Sequence, residues 1–333
     1  MRKILLIMLL AISLIVSACS SADTTSEGGK VQLSFAHIFP ESHPGGVFLE
    51  KLAKEMEEKS NGQVTIQVNH NAVLGSEADE IQQMQGGNLD GALFYGISNF
   101  QSIDPAFGVE ELPFIFSGTD HARAAFDGEF GQEVSSMLNK HNFKVLSYWE
   151  NGFRHFTNNE RPIVEPSDME GIKFRSAEIP LRLEMFKLLN ASAIPMGFNE
   201  LFTALQQGTV DGQENPLSTI DSSKFYEVQK YLSLSGHIYN SAPLMLSTQA
   251  LEKLTQEQQD TLMELAEKLR DEQRADLDTQ NEELENSLKD KGMEVNEINR
   301  EAFLNEVKPL WDSFINENGE KTKELVELIE KAQ

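Results

Sequence analysis

The sequence predicts an α/β protein of two lobes around a cleft, with one long helix spanning both. Three observations carry this. Strand-like and helix-like runs alternate from Val31 onward, which indicates α/β lobes and not a sandwich or a bundle. The block Met84-Gln85-Gly86-Gly87-Asn88-Leu89-Asp90-Gly91 returns in pattern as Leu205-Gln206-Gln207-Gly208-Thr209-Val210-Asp211-Gly212. Thr255 to Lys291 is 37 residues without Gly or Pro, rich in Glu, Gln, Leu, Lys and Ala. As one helix it would measure roughly 55 Å, more than the diameter of one lobe.

Composition agrees with a folded chain of about two domains: 333 residues, 40% apolar and 24% charged. Lys and Arg number 28 against 53 Asp and Glu, a formal charge of −25. That balance repels phosphate backbones, and with no basic cluster a nucleic-acid partner is excluded. The single cysteine excludes an intramolecular disulfide and any cysteine-built metal cage.

The elements follow in order. Residues 1–18 read as a signal peptide: Arg2 and Lys3, an apolar run from Ile4 to Val16, then small residues. The run is too short to span a bilayer. Val16-Ser17-Ala18-Cys19 resembles a bacterial lipobox, so Cys19 is the expected site of lipid attachment, and residues 19–30 form a polar, flexible tether. Val31–Ala36 is the first strand, His37–Gly46 a loop, Val47–Lys59 a helix and Val64–Val68 the second strand. The next helix runs from Ser76 to Gln85.

In the two copies of the repeated block, the preceding helix begins after Gly75 and after Gly197. Ligands of α/β lobes bind at the carboxyl ends of strands, where helix N-termini converge. Ser76-Glu77 and Phe198-Asn199 are therefore expected to face a shared cleft. Leucines in Thr255–Lys291 do not sustain heptads, which favours a helix crossing both lobes over a coiled coil. Helices over Phe303–Asn316 and Lys321–Lys331 complete the chain.

No HExxH, GxSxG, GxGxxG or P-loop motif is present. His37 and His43 read as polar loop residues without metal-ligand spacing, and Glu110-Glu111 as a solvated pair or a cap. Neither an enzyme, a metal site nor a cofactor is expected. What remains is recognition. Arg175 ends an apolar-alternating strand (Ile172, Phe174), where a guanidinium facing the cleft would grip a carboxylate at two points. Arg154, taken alone, reads as a surface charge.

Longer blocks carry a resemblance. Asn151-Gly152-Phe153-Arg154, Pro166 through Arg175, Pro195 through Gly208 and Asp211-Gly212-Gln213-Glu214-Asn215-Pro216 resemble the solute-binding subunit of TRAP (tripartite ATP-independent periplasmic) transporters, of the DctP type. Lys224–Tyr231 and Leu112–Phe116 continue the match, which covers nearly all of residues 31–320.

The resemblance implies a periplasmic-binding-protein-like fold, two α/β lobes closing over one organic anion such as a C4-dicarboxylate or a sugar acid. It implies Arg175 as the carboxylate clamp, assisted by Arg154 and Asn215. Glu77 would contact ligand hydroxyls, Phe198 would form an aromatic wall, and His37 and Tyr95 would tune specificity. Arg175-Ser176-Ala177 replaces the Arg-Val-Pro of many relatives, so the strand end is expected to differ locally.

By the same analogy the first lobe would hold residues 31–151 and 240–280, and the second 152–239 and 281–333. The implied partners are a small organic acid and the membrane subunits of a TRAP transporter, for a monomer held outside the cytoplasm. A receptor feeding a sensor kinase or chemoreceptor is the alternative, and a lipid-anchored enzyme on acidic sugars a further one.

Overall fold

The computed structural model describes residues 30–333. The expected signal peptide, Cys19 and almost all of the expected tether lie outside the described residues. The first half of the chain lays down β1 (Val31–Ala36), α1 (Pro44–Lys59), β2 (Val64–Asn69), α2 (Glu77–Gln85) and β3 (Gly91–Leu93). Two 3-10 turns (Ile97–Phe100 and Pro105–Glu111), α3 (Thr119–Asp127), α4 (Glu129–Asn139) and β4 (Phe143–Phe153) follow.

The chain then enters a second unit: β5 (His155–Asn158), β6 (Lys173–Ser176), α5 (Pro180–Leu188), β7 (Ser192–Pro195), α6 (Phe198–Gln206), β8 (Gly212–Asn215), α7 (Leu217–Ser222) and β9 (Tyr231–Leu234). It returns through β10 (Tyr239–Ser247) and α8 (Thr248–Leu251), and ends with α9 (Gln256–Asp290), β11 (Glu294–Glu297) and α10 (Arg300–Lys331).

Two sheets result. The first has the order β2-β1-β3-β10-β4, and the second β11-β9-β5-β8-β6-β7. Each is mixed: β1 pairs in parallel with β2 and β3, and β6 with β7 and β8, whereas β10 and β5 run antiparallel to their neighbours. The two sheets meet where β4 gives way to β5 at Arg154 and where β9 returns to β10. The expected two-lobed α/β architecture is the observed one.

The repeated block has a physical basis in both lobes. α2 and α6 each end with a glycine at positive φ, Gly87 at 72° and Gly208 at 66°. The following N–H reaches back along the helix, from Asn88 to the Gln83 carbonyl and from Thr209 to the Ala204 carbonyl, which closes the helix end. Next, Asp90 accepts the Ser34 N–H at 2.8 Å and Asp211 accepts the Lys173 N–H at 2.9 Å. Finally, Gly91 lies opposite Phe35 and Gly212 opposite Phe174. A Cβ there would stand 2.5 Å from the Phe35 ring or 2.8 Å from the Phe174 ring, so only glycine admits the aromatic of the neighbouring strand.

Two helices differ from expectation. α1 starts at Pro44, three residues early, because the His43 side chain accepts the Gly45 N–H and Pro44 takes the first helical position. α9 is the single long helix expected, with Thr255 and Gln258 forming its capping box and Lys291 its C-cap. It packs on β4 and α1 of the first lobe and on α7 and β11 of the second.

α10 runs continuously past the expected gap, bent at Gly319, whose φ of 77° and ψ of −163° interrupt the helix. It was expected to close the second lobe, yet it packs on both: on α5 of the second, and on α3, α4 and the Pro105–Glu111 turn of the first. Lys321 pairs with Glu133, and His121 bonds the Ile329 carbonyl. Among the described residues no helix is long and apolar enough to cross a membrane.

Candidate ligand-binding site

A cavity of about 490 Å³ lies between the lobes. Ser76, Glu77, Ser98 and Asn99 line it from the first lobe, and Arg175, Met196, Phe198 and Asn199 from the second. Both helix starts singled out by the repeated block therefore open into one space. α2 begins there through a capping box: Ser76 Oγ accepts the Asp79 N–H at 3.3 Å, and the Asp79 carboxylate accepts the Ser76 N–H at 2.8 Å.

Arg175 is delivered by β6, paired in parallel with β7. Its side chain is buried, with the residue 4% exposed. Nε and Nη2 donate to a single acceptor, the Met196 carbonyl, at 3.1 and 2.8 Å. The Phe198 ring centre lies 6.0 Å from the guanidinium carbon. Among the described residues no carboxylate pairs with Arg175 within 4.0 Å. Burial pulls this guanidinium down to about 9, with Glu214 and Glu77 opposing the shift and Arg154 and Arg182 adding to it. A buried cation without a counterion is costly unless a ligand supplies the charge.

Glu77 faces the same space. Its Oε1 accepts the Tyr95 N–H at 2.7 Å. Burial raises the carboxyl to about 7, against the opposing pull of that N–H and of Arg175. Glu77 is thus poised to accept a hydroxyl or to carry a proton near neutrality.

The other expected residues sit behind this lining. Tyr95 packs on Phe39 with ring centres 4.1 Å apart, and Phe39 packs on Phe198 at 4.5 Å. His37 Nδ1 lies 3.3 Å from the Tyr95 hydroxyl, and its Nε2 lies 2.6 Å from His70 Nδ1. His37 and His43, expected as polar loop residues, are both buried because the β1–α1 loop tucks between the lobes. Burial lowers His37 to about 3, and burial also holds His43 well below the ordinary range. Among the described residues no group of three or more His, Cys, Asp or Glu is arranged to hold a metal ion.

Arg154 and Asn215 do not line the cavity. Arg154, expected from the bare sequence as a surface charge, is 4% exposed and pairs with Glu214 through Nε and Nη2. It also donates to Asn240 Oδ1 and Asn215 Oδ1.

Arg182, which the sequence reading passed over, completes the cluster. It grips Glu111 at 2.6 and 2.8 Å and reaches Glu214 at 3.1 Å. Glu110 and Glu111 correct the expectation of a solvated pair, since both are fully buried. Glu110 accepts the Ser241 N–H at 2.6 Å, and Arg182 holds Glu111 below its usual range although burial alone would raise it. Their apolar flanks, Val109 and Leu112, were the available signal. Arg154 and Arg182 thus have carboxylate partners, while Arg175 beside them has none among the described residues.

Similarity to known proteins is extensive. The family model described as "Bacterial extracellular solute-binding protein, family 7" (DctP) matches residues 35–318. A "Solute-binding protein" of Verminephrobacter eiseniae is 36% identical over 317 residues, 95% of this chain and 91% of that one.

Among solved structures, the sugar acid binding protein of Advenella mimigardefordensis in complex with galactonate superposes with a TM-score of 0.88 at 34% identity, covering 92% of this chain and 99% of that one. A TRAP periplasmic solute binding protein of Chromohalobacter salexigens with bound D-glucuronate gives 0.87 at 34% identity, over 90% and 100%. The chain belongs to the bacterial extracellular solute-binding proteins of family 7.

Proposed function

We propose that this protein captures a small organic acid outside the cytoplasm and delivers it, as a monomer, to the membrane subunits of a TRAP transporter. One observation carries the reading: Arg175 is buried in the interlobe cavity with no carboxylate partner of its own among the described residues. A ligand carboxylate supplies the missing charge, held at two points by the planar guanidinium. The galactonate and D-glucuronate of the two related structures support an acid bearing hydroxyls. Glu77 accepts a ligand hydroxyl, and Phe198 packs against the ligand.

Arg154 and Asn215 act from behind, holding Glu214 and the strands on which the clamp is built. His37 and Tyr95 act through Phe39 and the Glu77 hydrogen bond. The lobes close as units spanning roughly 31–151 with 240–280 and 152–239 with the remainder, strapped by α10.

A thermal-shift screen of hydroxylated monocarboxylates tests the reading. At one hundred times its dissociation constant, a ligand stabilises the fold by about 2.7 kcal/mol. No shift with any acid would overturn it.

Cys19, in its lipobox-like setting, is proposed as the site of a lipid anchor. Cys19→Ser should then move the protein from the membrane to the soluble fraction, and a variant that still sediments with membranes would refute the anchor.

A further inference from the structure

The cavity is larger than its clamp requires. Beyond Arg175 and Glu77 it continues between α5 and α10, past Gln101, Pro105, Leu181, Phe314 and Asn318. This outer part is a packed wall. Gly108 has no side chain, and a Cβ there would stand 2.8 Å from Phe314 Cζ and 2.9 Å from Gln101 Cδ. Its absence lets both side chains converge.

The volume is not an open gap between separated lobes. His43 Nε2 meets Thr219 Oγ1 across them at 3.2 Å, and Phe39 meets Phe198 with ring centres 4.5 Å apart. Cavities of about 300–1,000 Å³ suit drug-sized ligands. At about 490 Å³ this one leaves room around a single six-carbon acid.

Charge is also distributed along it. Among the described residues lining the cavity, Arg175 is the one Lys, Arg or His, and its side chain is buried. The exposed carboxylates of Glu178, Glu184 and Glu317 line the outer mouth. A ligand lying along the cavity meets a cation with one end and acids with the other.

We infer that the ligand is a two-ring acid, with one carboxylate on Arg175 and a neutral hydroxylated ring in the outer compartment against Phe314 and Leu181. This rests on the organic-acid reading above and narrows it. The apolar wall takes the C–H face of the second ring, and the acidic mouth excludes a second carboxylate. A monoanion headed by a uronic acid and extended by a neutral sugar satisfies both.

Calorimetric titration of the full chain with D-galacturonate, an aldobiouronate (a uronic acid linked to a neutral sugar) and digalacturonate tests this. The aldobiouronate should bind at least about tenfold more tightly than galacturonate, and digalacturonate more weakly than the aldobiouronate. Ser102 is exposed at the outer lining. Ser102→Trp should abolish the gain while leaving galacturonate within about threefold. Glu184→Gln with Glu317→Gln should improve digalacturonate.

Galacturonate binding as tightly as the aldobiouronate would overturn the outer compartment and leave the Arg175 reading intact. Failure of every acid to bind would overturn both.

Discussion

His43 donates from Nε2 to Thr219 Oγ1 at 3.2 Å, from the N-cap of α1 in the first lobe to α7 in the second. Its Nδ1 accepts the Gly45 N–H at 3.1 Å, which places the proton on Nε2. The helix cap thus sets the tautomer that reaches across the cleft. Thr219 is fully buried, so Thr219→Val removes the acceptor at nearly constant volume. A buried donor left unpaired costs about 1–3 kcal/mol, and the loss falls on the closed form. Ligand release measured by stopped flow should therefore quicken, and the mean radius of gyration by solution scattering should rise. An unchanged release rate would count against the bond as a closure contact.

Arg154→Ala should damage the fold more than the site. The substitution leaves Glu214 buried with its remaining partners Arg182 and His237. Breaking a buried pair typically costs about 3–5 kcal/mol. The urea midpoint should fall accordingly, while Arg175 still binds ligand in the folded fraction. A variant with wild-type stability and lost binding would place Arg154 in direct contact with ligand instead.

Glu80 offers the opposite outcome. It is fully buried on α2, and both carboxylate oxygens lack a hydrogen-bond partner among the described residues. Burial, with Glu77 and Asp79 nearby, raises it to about 9 from an ordinary value of 4.5. The folded state keeps this proton over a range where the unfolded chain has released it. Its contribution therefore falls as pH rises from about 4.5 through about 9. Glu80→Met removes an unpartnered polar group and should stabilise by about 1–3 kcal/mol at pH 8. It should also flatten the decline in melting temperature from pH 7 to 9. A variant less stable than wild type at pH 8 would show that Glu80 makes a favourable contact.

Much of this architecture was legible because it rests on local rules. The Gly-Asp-Gly chemistry of the repeated block, the cap at Ser76 and the Gly-free run of α9 each encode one element by themselves, and the two helix starts located the cleft. The buried polar groups were not legible in the same way. Glu110, Glu111 and Arg182 look like surface residues until the β4–β5 and β9–β10 crossings bring the Pro105–Glu111 turn, α5 and β8 together. His43 is likewise polar in sequence and becomes a buried N-cap only through its long-range packing. Arg175 was found from its strand; its lack of a carboxylate partner among the described residues is a property of the fold alone.

Calorimetric titration of wild type, Arg175→Lys and Arg175→Ala with a hydroxylated monocarboxylate, after circular dichroism has verified folding, tests the central claim most directly. Arg175→Ala should cost about 2–5 kcal/mol, roughly 30- to several-thousand-fold in affinity. Arg175→Lys should not rescue it, because a compact ammonium cannot present the two parallel donors of a guanidinium. If Arg175→Lys binds within about threefold of wild type, under ~0.7 kcal/mol, Arg175 is not the two-point clamp and the account is wrong at its centre.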